Sequence, residues 1–276
     1  MTDQGAPITA PEATPSPEPP SEVREQRFLQ IRFTPMDVAD AAEQVKALGR
    51  ADLPFRYIVT PNADTTVKYH GMGTKIPVET VRESYDRAWL CTVDSKIISL
   101  LARLKGYQFP VCTGADLTAF LLDRKIYSGD DPITILGGDE TLIADLVAKY
   151  DLRNIHHYNP PFGFWKDPEE VRKSVEAICA RPSGLILFAV GNPQQELVAL
   201  NCLKSGNAYG MGLCVGASLD FLTGRQKRAP EWMSSNGLEW FYRLLTNPER
   251  MWRRYLLHSP KVFWIFLKTE LFRKKT

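Results

Sequence analysis

The protein has 276 residues, of which 44% are hydrophobic and 24% are charged, and its formal net charge is +2. A chain of this size and composition can bury a substantial core, which argues against a disordered protein or a small disulfide-stapled one. The charge is uneven, because residues 225–276 carry 12 Lys and Arg against 4 Asp and Glu, and such a segment favours an anionic partner: nucleic acid, a membrane or a phosphorylated substrate.

The chain begins with a segment that is poor in core-forming residues. Residues 1–24 contain six prolines together with Ala, Ser, Thr and Glu, a mixture that buries too little apolar area to offset the entropy of ordering. We therefore expect a disordered leader over 1–26, and we find no signal-peptide pattern. After it, RFLQIRF (27–33) predicts a strand. Thr34 is the predicted cap of the helix that follows, in which Val38, Ala41, Val45 and Leu48 have helical spacing.

A strand-then-helix unit recurs along the middle of the chain. Its four copies are RYIVTPNADTTVKYH (56–70), AWLCTVDSKIISLLARL (88–104), ITILGGDETLIADLVAKY (133–150) and LILFAVGNPQQELVAL (185–200). Alternation of this type is typical of parallel strands joined by right-handed helical crossovers. We therefore predict that residues 27–224 form one α/β domain with a doubly wound, Rossmann-like parallel sheet.

Polar residues and glycines follow the predicted strands, at the edge where ligands bind in sheets of this type. They are Thr60, Asn62, Asp94, Gly137, Gly138, Asn192 and Gln195. Position alone leaves Asp94 as either a helix N-cap or a general base. It leaves Gln195 as either part of a helix start or an amide offered to sugar hydroxyls. Gly137 and Gly138 would let a helix N-terminus face a phosphate, although the pair lacks the spacing of a dinucleotide fingerprint.

The sequence shows no pattern of metal ligands or disulfides. The four histidines are scattered, and there is neither an H-E-x-x-H motif nor a D-x-D pair. The five cysteines have no C-x-x-C spacing, which is typical of reduced core cysteines in a cytosolic protein. We therefore expect no metal and no cofactor.

Residues 225–276 are predicted to form a helical appendage to the core. Asn247-Pro248 and Ser259-Pro260 each pair an N-cap residue with a proline at the first helical position. The predicted helices cover 237–246, 248–258 and 260–275.

The appendage has the composition of a segment that binds a membrane surface. It holds four of the six tryptophans, and its last helix combines aromatic with basic residues, as interfacial helices do. Its longest apolar run, Val262 to Leu267, is too short to cross a bilayer, which takes about 20 residues. We therefore expect residues 237–276 to lie on an anionic membrane surface.

Six segments carry a resemblance to a known family. They are VTPNADTTV, VCTGADL, ILGGDE, FAVGNPQQE, GASLDFLTGRQKRAP and GLEWFYRLLTNPERMWRRYL. In this order they closely resemble the WecG/TagA/CpsF family of bacterial glycosyltransferases over most of 27–267, most specifically over 186–255. The resemblance implies an inverting, metal-independent transfer of a sugar from a UDP-sugar to a polyprenyl-diphosphate-linked saccharide. It also implies a peripheral location on the inner face of the bacterial cytoplasmic membrane.

The resemblance assigns roles to individual residues. The family's proposed general base matches Asp94, the T-P-N segment matches Thr60 and Asn62, and the essential glutamine matches Gln195. The arginines that the family's appendage delivers to the active site match Arg243, Arg250 and Arg253.

Arg228 lies in a basic turn where the core ends and the appendage begins. One interpretation is that this turn holds a diphosphate or anionic head groups. The other is a solvated surface turn, because exposed charges often have no specific partner.

Two departures from the family pattern leave alternatives open. Ser95 and Ile97 replace a D-G-x-G-type segment, and Val111 stands where many members have an arginine. The donor sugar is therefore left undetermined, and a nucleotide-sugar-binding or regulatory protein without catalysis is the alternative hypothesis. A nucleic-acid-binding protein would use the basic appendage on phosphates but gives the strand-end residues no role, so we expect no nucleic acid. The sequence does not determine the oligomeric state, and a homo-oligomer is one alternative.

Overall fold

A computed structural model of the protein describes residues 25–230, 232–233 and 238–272, without the side chain of Arg250. The predicted disordered leader over 1–26 therefore lies outside the described residues, except for its last two positions. Gln26 already begins the first strand.

The described chain enters the fold through a short β-hairpin. Strands β1 (Gln26–Phe28) and β2 (Ile31–Phe33) pair antiparallel. Between them Leu29 and Gln30 both have positive φ, 51° and 63°, which is the backbone that a two-residue hairpin turn requires. The prediction of one continuous strand over 27–33 is wrong, because these two residues reverse the chain.

Helix α1 (Val38–Leu48) begins at Asp37, whose carboxylate accepts a hydrogen bond from the Asp40 N–H at 2.9 Å. The predicted cap, Thr34, is wrong. The Thr34 hydroxyl is buried and accepts a hydrogen bond from the N–H of Cys91 at 2.6 Å. Thr34 therefore ties the hairpin to the central sheet and is not available to cap a helix.

The central sheet has six parallel strands in the order β4-β3-β8-β7-β5-β6. They are β3 (Arg56–Val59), β4 (Leu90–Cys91), β5 (Ile133–Leu136), β6 (Ile155–Tyr158), β7 (Leu185–Phe188) and β8 (Met211–Cys214). Every residue of β5, β7 and β8 is buried, because helices cover both faces of an all-parallel sheet. The predicted doubly wound, Rossmann-like fold is confirmed.

Two layers of helices cover this sheet. They are α2 (Ala63–Tyr69), α3 (Val78–Asp86), α4 (Lys96–Arg103), α5 (Gly114–Asp123), α6 (Glu140–Tyr150), α7 (Pro168–Cys179), α8 (Gln194–Ser205) and α9 (Ser218–Leu222). Helices α2, α3, α4, α7 and α8 share one apolar cluster with the hairpin. Helices α1, α5, α6 and α9 share the cluster on the opposite face.

Residues 238–272, called the tail below, are helical as predicted. The helices are α10 (Glu239–Thr246), α11 (Pro248–Trp252) and α12 (Lys261–Phe266), with π-helical turns over Arg253–His258 and Leu267–Leu271. No described helix is both long and apolar enough to cross a membrane.

The tail is packed onto the core next to the entry hairpin. Phe266 is buried against Phe28, with 6.0 Å between ring centroids. The Leu29 N–H donates a hydrogen bond to Glu270 Oε1 at 2.8 Å. The hairpin is therefore a docking surface for the tail.

Candidate active site

The strand-end residues named from the sequence lie along one edge of the sheet, in the order of the strands. Asp94 follows β4, Thr60 and Asn62 follow β3, Asn192 and Gln195 follow β7, and Gly137 and Gly138 follow β5. Neighbouring strands are about 4.8 Å apart, so β4 and β5 are separated by roughly 19 Å. This edge accommodates an extended ligand, with Asp94 at one end and the two glycines at the other.

Asp94 is partly buried, and its surroundings change its acidity. Burial raises the pKa of its carboxyl group from 3.8 to about 7. The charges of Arg243 and Arg254 lower this pKa, while those of Glu239 and Asp116 raise it. A carboxyl group that titrates near neutral pH is suited to take a proton from a substrate hydroxyl.

Helix α4 is capped by Ser95 and not by Asp94. The Ser95 hydroxyl accepts a hydrogen bond from the Ile98 N–H at 3.3 Å. The Asp94 N–H donates to the carbonyl of Pro61 at 3.0 Å, which ties the ends of β4 and β3 together. The cap interpretation of Asp94 is therefore wrong, and Ser95, although it departs from the family pattern, has a structural role.

Val111 lies beside Asp94, as the sequence predicts. The N–H of the next residue, Cys112, donates to the carbonyl of Val93 at 2.9 Å. The second departure from the family pattern therefore also lies at the Asp94 end of the edge.

Thr60 and Asn62 hold the loops at the end of β3. The Thr60 hydroxyl donates to the carbonyl of Cys214 at 3.3 Å, which joins β3 to β8. Asn62 Oδ1 caps α2 by accepting the N–H groups of Asp64 and Thr65, both at 3.1 Å. Both side chains therefore have a local structural task at the edge of the sheet.

The buried side chain of Gln195 joins two strand-end loops. Its Oε1 accepts the Gly216 N–H at 2.8 Å, and its Nε2 donates to Glu196 Oε1 at 2.9 Å. Burial raises the pKa of Glu196 above its usual range. Both ends of the Gln195 amide are thus engaged within the protein, and the contacts give this residue a positioning role for the loop after β8.

We expect Gln195→Ala to lower the free energy of unfolding by about 1–3 kcal/mol, because the Gly216 N–H and the Glu196 carboxyl group lose a buried partner. Urea unfolding followed by tryptophan fluorescence measures this loss. Gln108→Ala, at an exposed glutamine, is the control. Equal destabilisation of the two variants would contradict the positioning role.

Gly137 and Gly138 form a tightly packed turn after β5. Their φ angles are 96° and 81°, in the left-handed region that favours glycine. A Cβ on Gly137 would lie 2.7 Å from Val190 Cγ1. The carbonyls of both glycines lie 3.2 and 3.1 Å from His157 Nε2.

Asn192 connects the turn after β7 to the helices around it. Its Nδ2 donates to the Tyr85 hydroxyl at 3.1 Å, and its carbonyl accepts from Lys68 Nζ at 3.0 Å. Its Oδ1 is buried and has no hydrogen-bond partner among the described residues.

Two of the predicted arginines lie at the Asp94 end of the edge. Arg243, on α10, is hydrogen-bonded to Glu239, and its guanidinium carbon lies 4.6 Å from the centroid of the Phe221 ring. Arg228 pairs with Asp116 at 2.6 Å, in the first turn of α5. A carboxylate therefore orients each guanidinium group.

Arg253, the other predicted tail arginine whose side chain is described, points away from the Asp94 end of the edge. Arg253 is exposed and lies over the Trp252 ring, 5.3 Å from its centroid, whereas Arg254 Nη2 lies 3.5 Å from Asn62 Oδ1. Arg254, and not Arg253, therefore reaches the loop after β3. The side chain of Arg250 lies outside the described residues.

Sequence reasoning missed three charged neighbours of Asp94: Arg254, Glu239 and Asp116. Asp116 has a signal in the sequence, since Thr113 and Asp116 have the spacing of a capping box, and they are hydrogen-bonded at 2.7 Å. Glu239 and Arg254 have no such signal, because their approach to Asp94 depends on how the tail folds back.

The geometry places the protein among the Rossmann-like α/β proteins, whose ligands bind outside the carboxyl ends of the strands. Residues 26–276 match the family model described as Glycosyl transferase WecG/TagA/CpsF family. The chain therefore belongs to this family, whose members are glycosyltransferases of cell-surface polysaccharide synthesis. The resemblance found in the six sequence segments is confirmed.

Proposed function

We propose that the protein transfers a sugar, with inversion, from a UDP-sugar to a polyprenyl-diphosphate-linked saccharide. The observation that carries the proposal is the position of the tail, which brings the charge of Arg243 to the Asp94 end of the edge. Asp94 takes the proton of the acceptor hydroxyl, and the acceptor oxygen bonds to the anomeric carbon of the donor. The bond from that carbon to the UDP oxygen breaks on the opposite face, and UDP leaves with the bonding electrons.

Arg243 stabilises the departing diphosphate. Negative charge builds up on UDP as the bond breaks, and preoriented donors at that place lower the barrier. Guanidinium groups stay charged and offer paired donors to phosphate oxygens. Arg243 Nε is buried without a hydrogen-bond partner among the described residues, and a diphosphate oxygen would satisfy it. This supply of positive charge supports metal-independent transfer, with the UDP-sugar as substrate and no cofactor.

The surface of the tail supports binding to a membrane. Its exposed large apolar residues are Phe241, Leu245, Trp252, Leu256, Leu257, Phe263, Trp264, Leu267, Leu271 and Phe272. Lys261 and Lys268 lie among them and are also exposed. Apolar side chains mixed with lysines suit an anionic bilayer, to which each cation adds about 1 kcal/mol. We therefore place the protein on the inner face of the bacterial cytoplasmic membrane, next to a lipid-linked acceptor.

A transfer assay with the full-length protein tests the proposal. UDP-hexoses, UDP-hexuronates and UDP-N-acetylhexosamines are each supplied with a polyprenyl-diphosphate-linked saccharide in anionic vesicles, with and without EDTA. We expect one donor class to release UDP and to extend the lipid-linked saccharide in equal amounts, with no effect of EDTA. NMR of the product linkage reports inversion. Binding of UDP-sugars without turnover of any of them would support the non-catalytic alternative instead.

A further inference from the structure

Arg254, which the family resemblance does not assign, contacts the first turn of α2. Arg254 Nε lies 3.5 Å from Asp64 Oδ2, and Arg254 Nη2 lies 3.5 Å from Asn62 Oδ1. Arg254 therefore connects the tail to the loop that carries the predicted site residues Thr60 and Asn62.

Asp64 is a buried carboxylate, and its negative charge needs positive partners. Its side chain is 8% exposed, and it forms an ion pair with Lys68 Nζ at 3.0 Å. A buried charge is tolerated when it is paired and hydrogen-bonded. Lys68 supplies one partner from the core, and Arg254 supplies the second from the tail.

Lys68 extends this chain of contacts to the other side of the edge. Its Nζ donates to the carbonyl of Asn192 at 3.0 Å, in the turn that leads into Gln195 and its hydrogen bond to Gly216. The contacts Arg254–Asp64–Lys68–Asn192 therefore connect the tail to the loops after β3 and β7. Breaking the Arg254–Asp64 contact therefore changes the charge balance of a network that extends to the loops after β3 and β7.

We propose that Arg254 and Asp64 form a latch that holds the tail in place and so keeps Arg243 at the Asp94 end of the edge. Arg254 is then a positioning residue, acting through Arg243 and not by contact with the reacting atoms. The proposal rests on the proposed function for its effect on rate. The docking of the tail itself is independent of that function.

The test compares Asp64→Asn, Arg254→Ala and the double variant in the full-length protein. We expect each single variant to lower kcat about tenfold at saturating donor and to speed chymotrypsin cleavage of the tail. The double variant should be no worse than Asp64→Asn alone, because Asp64→Asn has already broken the contact with Arg254. Arg254→Lys should recover part of the protection. Lys204→Ala breaks the Lys204–Glu83 ion pair (2.7 Å) between α8 and α3, and as the matched control it should keep wild-type values.

Several outcomes would overturn the latch. Additive losses in the double variant, or cleavage of the tail at the wild-type rate, would do so. A raised KM for the donor with unchanged cleavage would assign Arg254 to the substrate instead. If Asp64→Asn does not fold, because Lys68 loses its partner, cleavage of Arg254→Ala and Arg254→Lys still decides the question. Failure of the proposed function would appear differently, as a wild-type protein that turns over no donor while its tail stays protected.

Discussion

Asp94→Asn is expected to lower the rate of sugar transfer by about 10²–10⁴-fold, the usual contribution of a general base. The amide has nearly the size of the carboxylate but cannot accept the proton of the acceptor hydroxyl. Affinity for the UDP-sugar, measured by calorimetry, should change little, because the proposal gives Asp94 no donor contact. An Asp94→Asn enzyme that turns over at the wild-type rate would remove Asp94 from the mechanism.

The pH dependence of wild-type transfer follows from the acidity of the same group. Asp94 acts as a base only when it is deprotonated, and its pKa is raised to about 7, mainly by burial. kcat/KM should therefore fall as the pH drops below about 7. Glu239→Gln removes a neighbouring negative charge that raises the pKa of Asp94, so in this variant the acid limb should move to lower pH. An acid limb that stays at the same pH in Glu239→Gln would contradict the assignment.

The raised pKa of Asp94 also predicts a gain in stability when the charge is removed. Folding favours the protonated form, so the contribution of Asp94 to stability is complete below its unfolded pKa of 3.8 and is lost as the pH rises through about 7. Asp94→Asn should therefore raise the free energy of unfolding by about 2–4 kcal/mol at pH 8. At pH 4 it should change little. Urea unfolding at the two pH values measures the difference.

The alternation of strands and helices could be predicted because each buried strand is a continuous apolar run. Parallel strands then bring Thr60, Asp94 and Gln195 to one edge, whatever the details of the loops. The hairpin could not be read from RFLQIRF, because neither Leu29 nor Gln30 is a typical residue for a left-handed turn. Tertiary contacts also determine the N-cap of α1. The Thr34 hydroxyl accepts a hydrogen bond from Cys91, and Asp37 caps the helix instead.

The contribution of the tail to the site was predictable only in part. Asn247-Pro248 and Ser259-Pro260 predicted where its helices begin, and the family resemblance predicted that its arginines reach the active site. Which arginine faces Asp94 depends on the rotation of a helix that the sequence does not fix, and the structure brings Arg254 to the edge where Arg253 was expected. The Asp64–Lys68 pair has the i, i+4 spacing of a surface ion pair, so nothing in the sequence marks it as buried.

Arg243→Ala is expected to lower kcat by about 10²–10³-fold, the usual cost of losing one donor to a developing negative charge. The variant loses rate for two reasons. It loses a donor to the departing diphosphate, and it loses a positive charge that lowers the pKa of Asp94. The second effect should move the acid limb of kcat/KM to higher pH, the opposite direction to Glu239→Gln.

The two effects of Arg243→Ala can be separated by pH. Near pH 9 Asp94 is ionised in both enzymes, so the remaining loss of rate reports the leaving group alone, and near pH 6 the loss should be larger. Arg124→Ala is the matched control, because Arg124 also lies over an aromatic ring, that of Phe120, at 5.4 Å from its centroid, but outside the site. A loss of rate in Arg243→Ala that is the same at both pH values would show that Arg243 does not act on Asp94. An unchanged rate at pH 9 would show that the tail does not stabilise the leaving UDP.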